Sequence, residues 1–362
     1  MPVGQTLRYT TSPFDALDAD LQHQWESIRS SSSSYRSPFF SFAFIHAVNS
    51  VCANVEVAAA RDADGVVAIL PFVRRNMFDA TPVGAGINDA HGILLRRDNT
   101  LSAREFLQAC GLRSFAFHAA PPNAPGVQQY EVGRGRAYLA DLTVDPLGYE
   151  HFLRNSSRTI DRQGQKSRRL ARELGPLRLE FDCRDQSMLD HLIELKGIQY
   201  RRTHTFDILA VSWIRQLLSL LHTNPVGSLR GLLNVLYAGD TPVALHYGIL
   251  DGDLLHYWFP VYDHRFAYGS PGTQMFLDIA RHAATLGVKA IDMGYSEQPY
   301  KAKLTNVVTQ MSHGLIDANP LRRHIHRSRT VWRQHAKGLW FKDQIKPVVR
   351  RLLPNLGGGR YR

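Results

Sequence analysis

Residues 254–303, LLHYWFPVYDHRFAYGSPGTQMFLDIARHAATLGVKAIDMGYSEQPYKAK, constrain the fold more than any other segment. Apolar and aromatic side chains fill 254–262, as a buried strand requires. Gly269, Pro271 and Gly272 then break the pattern, and Thr273 is the expected N-cap. Met275, Phe276, Ile279, Ala280 and Ala283 recur at helical spacing up to Gly287, where a C-terminal cap belongs. A second strand, VKAI, and a polar loop follow. A strand that turns into a helix through glycines aims backbone N–H groups and the positive end of a helix dipole at one point, which suits a pyrophosphate. An ordinary strand-to-helix turn that needs glycine gives the same pattern.

The chain has 362 residues, enough for two domains, and with 44% hydrophobic residues it can fill their cores. Cys52, Cys110 and Cys183 are too far apart and too few for a disulfide framework or a metal-ligand pattern, so a reducing cytoplasm is expected. No apolar run has signal-peptide or membrane-spanning character. Residues 319–362 carry twelve Lys/Arg against the single acid Asp343, a surplus equal to the +11 of the whole chain. Everything before residue 319 is therefore neutral overall, and the high pI describes a tail.

Along the chain, the serine run 30–34 reads as a loop, and Ser37 followed by Pro38 opens a helix. VEVAAARDADGVVAILPFVRR is a strand pair with its turn at 62–65. A β-rich region with Gly84, Gly86 and Gly92, a helix over 102–110 and the proline-rich loop 121–126 complete the first half. Beyond Asp145, HFLRNSSRTIDRQGQKSRRLARELG reads as one arginine-rich helix, LRLEF as a strand, and SMLDHLIELKGIQYRRTH and SWIRQLLSLLHT as helices. LLNVLYAGDTPVALHYGILDGDLLHYWFPVYD then supplies three strands, with turns at Gly239 and Asp240 and at Asp251 and Gly252. Both halves contain a strand–turn–strand with an acid-glycine turn, preceded by helical sequence. This predicts a tandem of two α/β units: 1–145, degenerate because it lacks the glycine loop and helix, and 146–318, followed by the basic tail 319–362.

An antiparallel meander, a glycine loop, a helix and a further strand resemble the core of the GNAT acyltransferase fold. More closely, 150–316 resemble the acetyltransferases named for bacterial cellulose biosynthesis (the CelD type), distant relatives of the Fem-type aminoacyl transferases. RRLARELGPLRLEF, LKGIQY, ALHYGILDGDLLHYWFPVYD, YGSPGTQM and DMGYSEQPYKAK carry the likeness; PFFSFAFIHAV and DGVVAILPFVRR match in outline. The resemblance implies an α/β fold of tandem GNAT-like units, each a mixed, mainly antiparallel sheet flanked by helices. It implies an acyl-CoA donor, acetyl-CoA first, and a sugar or envelope-polysaccharide precursor as acceptor. The GNAT loop is R/Q-x-x-G-x-G/A; here Arg265 to Gly272 is longer and carries a proline. Phe259, Arg265, Tyr268, Gly269, Ser270, Gly272 and Thr273 are the implied CoA contacts. Lys301, with Lys303 as the near alternative, matches the Fem-type lysine that neutralises charge on the donor.

Acyl transfer needs a base for the acceptor, a donor for the carbonyl oxygen and a proton for the thiolate. By fold, the carbonyl donor is a backbone N–H near Trp258, Phe259 and Pro260, the last of which has none to give. Tyr262, Tyr268 and Tyr300 lie near enough for the thiolate. For the base the candidates are His246, His256, Asp292 and Glu297, with His246 and Asp292 foremost. A hairpin turn at Asp251 and Gly252 sets His246 opposite His256, which then also becomes a substrate contact. Asp292 ends a strand, where α/β sites gather. Buried histidines that only hydrogen-bond, and an aspartate that only caps a turn, fit the same positions. No Ser-His-Asp or Cys-His set suggests an acyl-enzyme. Arg154, Arg158 and Arg162 repeat every four residues, so Arg158 and Arg162 are candidates to clamp an anionic substrate; a solvated face reads alike. The tail, with Trp332, Trp340 and Phe341 among its cations and helix limited to about 320–345, suits an anionic membrane surface or a protein partner more than nucleic acid.

Overall fold

The computed structural model describes residues 7–336 apart from 98–100, 123, 125, 146 and 157. In the first half, β1 (Arg8–Pro13) leads through a 3₁₀ turn to α1 (Ala19–Ser30) and α2 (Phe42–Cys52). Next come β2 (Val55–Asp62), β3 (Gly65–Arg74), β4 (Asp79–Pro82), β5 (Leu94–Leu95), α3 (Ala103–Ala109), β6 (Ser114–Ala120) and β7 (Glu131–Asp141). In the second half, α4 (Tyr149–Ser156), α5 (Arg158–Leu174), β8 (Leu177–Glu180), α6 (Gln186–Arg202) and α7 (Ser212–Thr223) precede the meander β9 (Leu229–Ala238), β10 (Thr241–Asp251) and β11 (Leu254–Tyr262). Then follow α8 (Pro271–Thr285), β12 (Ala290–Tyr295), α9 (Pro299–Leu304), β13 (Val307–Asp317) and α10 (Pro320–Ala336).

All the described strands join one sheet, in the order β1-β2-β3-β4-β6-β13-β7-β12-β11-β10-β9-β8, with β5 on β3. Its two sides repeat one pattern. Strands β1, β2, β3 and β4 pair antiparallel in turn, β4 meets β6 in parallel, and β6 meets β13 antiparallel. Likewise β8, β9, β10 and β11 pair antiparallel, β11 meets β12 in parallel, and β12 meets β7 antiparallel. The sixth strand of each unit is supplied by the other half of the chain: β7 completes the second, β13 the first, and these two pair antiparallel at the centre. The expected tandem is present, interlocked by this exchange.

One apolar cluster, from Trp25 and Phe44 to Leu217 and Tyr247, runs across both halves on a single face of the sheet. There α2 packs on α7. Arg36 pairs with Asp253 at 2.9 Å across the same boundary, and Arg29 pairs with buried Asp251. On the opposite face, Met275, Phe276 and Ile279 of α8 pack with Leu153 and Leu170 over the second half. A third cluster centred on Phe72 and Phe106 serves the first.

Several local expectations are corrected. Ser37 and Pro38 open only a 3₁₀ turn, Pro38–Phe40; α2 starts afterwards because Ser41 Oγ accepts the Phe44 N–H. The arginine-rich segment is two helices, so Arg154 sits on α4, paired with Glu150 at 2.6 Å, and not in line with Arg162 on α5. The N-cap of α8 is Ser270, not Thr273, because Pro271 takes the first helical position. The Trp332 side chain, Trp340 and Phe341 lie outside the described residues.

Candidate functional site

The parallel pairing of β11 with β12 lasts three residues and stops at His256 opposite Asp292. There both strands bulge. On β11, Tyr257 and Trp258 together face Gly248, between the pairs Ile249–His256 and Tyr247–Phe259. On β12, Met293 is the extra residue against β7. A bulge bends its strand and leaves one residue out of the ladder, so the two strands part and a fork opens. Glycines permit this: a Cβ on Gly248 would lie 2.6 Å from the His256 carbonyl oxygen, and one on Gly294, at φ +74°, would lie 2.0 Å from Asp89 Oδ2. The expected register is corrected as well. The turn is centred on Gly252 and Asp253, which already sets His256 opposite Ile249, and the bulge adds one residue, so His246 pairs with Pro260.

At the fork stand four charged or titratable groups. His256 is fully buried, its ring edge-on to Phe39 at 4.7 Å between centroids. Its Nδ1 lies 3.2 Å from Asp292 Oδ2 and its Nε2 3.7 Å from Asp89 Oδ2. Asp89 comes from the loop 83–102 of the first half and accepts the Tyr295 backbone N–H. Trp258 Nε1–H donates to the Ile87 carbonyl at 2.8 Å and ties that loop down. Lys301, buried on α9, donates to Ser296 Oγ at 2.8 Å.

The two carboxyl groups are driven apart. Burial pushes Asp89 up to about 6, with Asp292 adding to the rise and His256 and Lys301 opposing it. Its side chain, walled by protein on most sides, keeps 30% exposure and so opens to solvent on one. Burial also works against ionised Asp292, but the His256 hydrogen bond and charge, the Gly294 N–H at 2.8 Å and Lys301 outweigh it and hold Asp292 below the usual carboxylate range. Burial lowers Lys301, partly offset by both aspartates. A carboxyl raised to about 6 beside one held below its ordinary range is the arrangement that separates acid and base roles.

Beyond the fork, α5 and the first turn of α8 make a cationic mouth. Gln163 Nε2 donates to the carbonyls of Gly269 and Ser270, both at 3.3 Å, and Lys166 Nζ to Ser270 Oγ at 2.9 Å. Ser167 donates to Gln274 at 2.7 Å. Gly269 is a packing glycine, since a Cβ would meet Leu170 Cδ2 at 2.9 Å; Gly272 has room, with Tyr262 at 3.5 Å. Thr273 lies in the first turn of α8, where N–H groups and the dipole favour an anion. Arg162 is exposed on α5, while the Arg158 side chain lies outside the described residues.

The remaining predicted residues are placed elsewhere. Arg265 folds onto Asp263 at 2.6 Å with its side chain 79% exposed. Tyr268 bonds to Glu173 beneath the Arg169 guanidinium. Phe259 is buried in the core. His246 is fully buried, stacked on Tyr257 at 3.8 Å and bonded to Asn234 at 3.0 Å; burial drives it well below the usual imidazole range. Glu297 is two-thirds exposed, 3.9 Å from Arg136. Tyr300 flanks the fork, its phenol pushed up to about 12 by burial and Asp89.

Asp89 is the residue that sequence reasoning missed. Its signal was present in GINDAHG, an acid and two polar neighbours within a glycine-rich, otherwise apolar stretch, but it lay in the half read as degenerate.

Residues 158–302 match the acetyltransferase (GNAT) domain family. No protein of curated function matches the sequence. Among solved structures, FemX is 10% identical, covering 84% of this chain and 98% of its own, with a TM-score of 0.59. The C-terminal domain of a putative lysylphosphatidylglycerol synthetase from Agrobacterium fabrum is 13% identical over 85% of this chain and 94% of its own, at 0.51. A protein of unknown function from Bacteroides thetaiotaomicron is 11% identical over 81% and 97%, at 0.50. Identities this low establish a shared fold alone. The chain thus has a GNAT-type acyltransferase fold, built as interlocked tandem units with the matched domain in the second.

Proposed function

We propose that the protein transfers an acyl group, acetyl foremost, from CoA to an amine or hydroxyl acceptor. The observation that carries this reading is the fork between β11 and β12, with Asp89, His256, Asp292 and Lys301 at its apex and the cationic mouth of α5 and α8 beside it. The pyrophosphate would lie at the first turn of α8 near Lys166, with the thioester running toward the fork. Asp89 takes the acceptor proton as the acceptor nitrogen or oxygen bonds to the thioester carbon. A backbone N–H freed at the Tyr257–Trp258 bulge supports the carbonyl oxygen as it gains charge. The C–S bond then breaks, and Lys301, with Tyr300 at the rim, neutralises the departing thiolate. His256, held by Asp292, faces Asp89 and steadies its charge. An acceptor of the sugar or envelope-precursor class follows from the resemblance to the cellulose-biosynthesis acetyltransferases.

Calorimetric titration with acetyl-CoA tests the reading, on the wild type and on Gly272→Glu, where a side chain has room and its charge opposes the helix dipole. Binding that is lost in the variant supports it. No binding to the wild type at millimolar ligand overturns it in favour of another donor, an aminoacyl group carried by tRNA first.

A further inference from the structure

The last of the described helices is turned the wrong way round for an ordinary surface helix. α10 is fastened to the sheet by its arginines. Arg322 donates to both oxygens of Asp79, at 3.1 and 2.9 Å, and lies 3.1 Å from Asp317. The Arg323 guanidinium sits 5.6 Å from the centroid of the Tyr130 ring. The apolar residues of the same turns face outward: Leu321 is 63% exposed and Ile325 40%. A helix packed on a globular body ordinarily buries its apolar stripe and leaves its cations in water. Here the fork-shaped Arg322–Asp79 contact fixes the roll of the helix and holds Leu321 and Ile325, one turn apart, outward beside exposed His324 and Arg327.

Charge selects what covers this face. Residues 319–362 carry twelve Lys/Arg and one acid. The segment after Ala336 is itself strongly cationic, so folding it back over α10 would set like charges together. An anionic bilayer meets both demands, with headgroups for the cations and an apolar interior for the two aliphatic side chains. No helix among the described residues is long and apolar enough to cross a membrane, so any seating through α10 is lateral. We infer that α10 seats the protein on an anionic lipid surface, with Leu321 and Ile325 entering the interface.

The full-length chain is sedimented with phosphatidylcholine vesicles with and without phosphatidylglycerol, over a salt series. Binding is expected only with the anionic lipid and is expected to weaken as salt rises. Leu321→Asp/Ile325→Asp should bind at least about tenfold more weakly, with melting temperature and acetyl-CoA affinity unchanged. Leu321→Ser/Ile325→Ser should fall between, and it serves if the aspartate pair disturbs folding. The inference is overturned if the wild type ignores anionic vesicles, if both variants bind them as the wild type does, or if duplex DNA displaces the protein from them at equal charge concentration.

Discussion

The two halves make the same strand pairings and differ in what stands where their parallel strands part. In the second half, eight residues, 263–270, six of them the 3₁₀ turn His264–Gly269, link β11 to α8, and the fork between β11 and β12 stays open. In the first, twenty residues, 83–102, separate β4 from α3, and the stretch before β5 lies against β6 beyond the end of its pairing with β4. His91 acts there as a missing strand partner: its Nε2 accepts the backbone N–H groups of His118 at 3.0 Å and Ala119 at 3.3 Å, while its own N–H donates to the Ala119 carbonyl at 3.1 Å. The same loop carries Asp89 across to the open fork. Degeneration in one unit thus supplies a group to the other: the plug that closes one site brings the proposed base to its neighbour.

Separating the halves should break the comparison most completely. A fragment starting at residue 146 lacks β7, so β12 and β13 each lose a neighbour and the sheet gains open edges. Residues 146–362 made alone should be insoluble or molten, and adding residues 1–145 as a second chain during refolding should restore a cooperative melt. A soluble, cooperatively melting fragment would show that the exchanged strands are dispensable.

Asp89→Asn has the next largest effect, a fall in kcat of about 10²–10⁴-fold with acetyl-CoA affinity retained. The wild-type rate should fall as pH drops through about 6, where Asp89 takes up its proton. Stability runs the other way. An acid whose folded pKa is raised favours the fold while protonated and loses that contribution as pH rises through the folded value. At pH 7.5 the Asn variant should therefore melt no lower than the wild type. A variant that loses activity and also melts well below the wild type would make Asp89 a structural residue.

His91→Leu attacks the plug itself. Two backbone N–H groups lose their acceptor, at a cost of about 1–3 kcal/mol each if they stay buried and unpaired. Burial holds His91 well below its ordinary 6.5, so its contribution is present above 6.5 and is lost as pH falls below it. Chemical denaturation at pH 8 and pH 5 should show a large difference between the two proteins at the higher pH and a smaller one at the lower. Unchanged stability at pH 8 would mean that water replaces the imidazole.

The second half was legible because its signals are local. Alternation, acid-glycine turns and the 269–287 loop and helix mark β9 to β12 and α8 from residues near in sequence. What escaped depends on long-range geometry. Nothing near His256 announces the bulge at Tyr257 and Trp258, which adds one residue to the offset that the turn at Gly252 and Asp253 already sets between His246 and His256. The exchange of β7 and β13 is a pairing between residues far apart in the chain. Asp89 gains its surroundings only when a first-half loop meets β11 and β12, so composition around it could suggest a turn but not a carboxyl poised near neutrality.

Lys166→Glu sharpens the comparison with the smallest effect. Lys166 is exposed and reaches Ser270 at the N-terminus of α8, a charge-bearing mouth that α3, seven residues long, has no counterpart for. A pyrophosphate there gains from the helix dipole and from the lysine, and both are screened by salt. Reversing the lysine charge should raise KM for acetyl-CoA by about three- to tenfold at low salt, and less at high salt, with kcat within about twofold, because the contact holds the donor equally before and during reaction. An effect confined to kcat would move Lys166 from the mouth to the chemistry. No effect on either constant would place the pyrophosphate away from α8, and the fork would then have to be entered from another side.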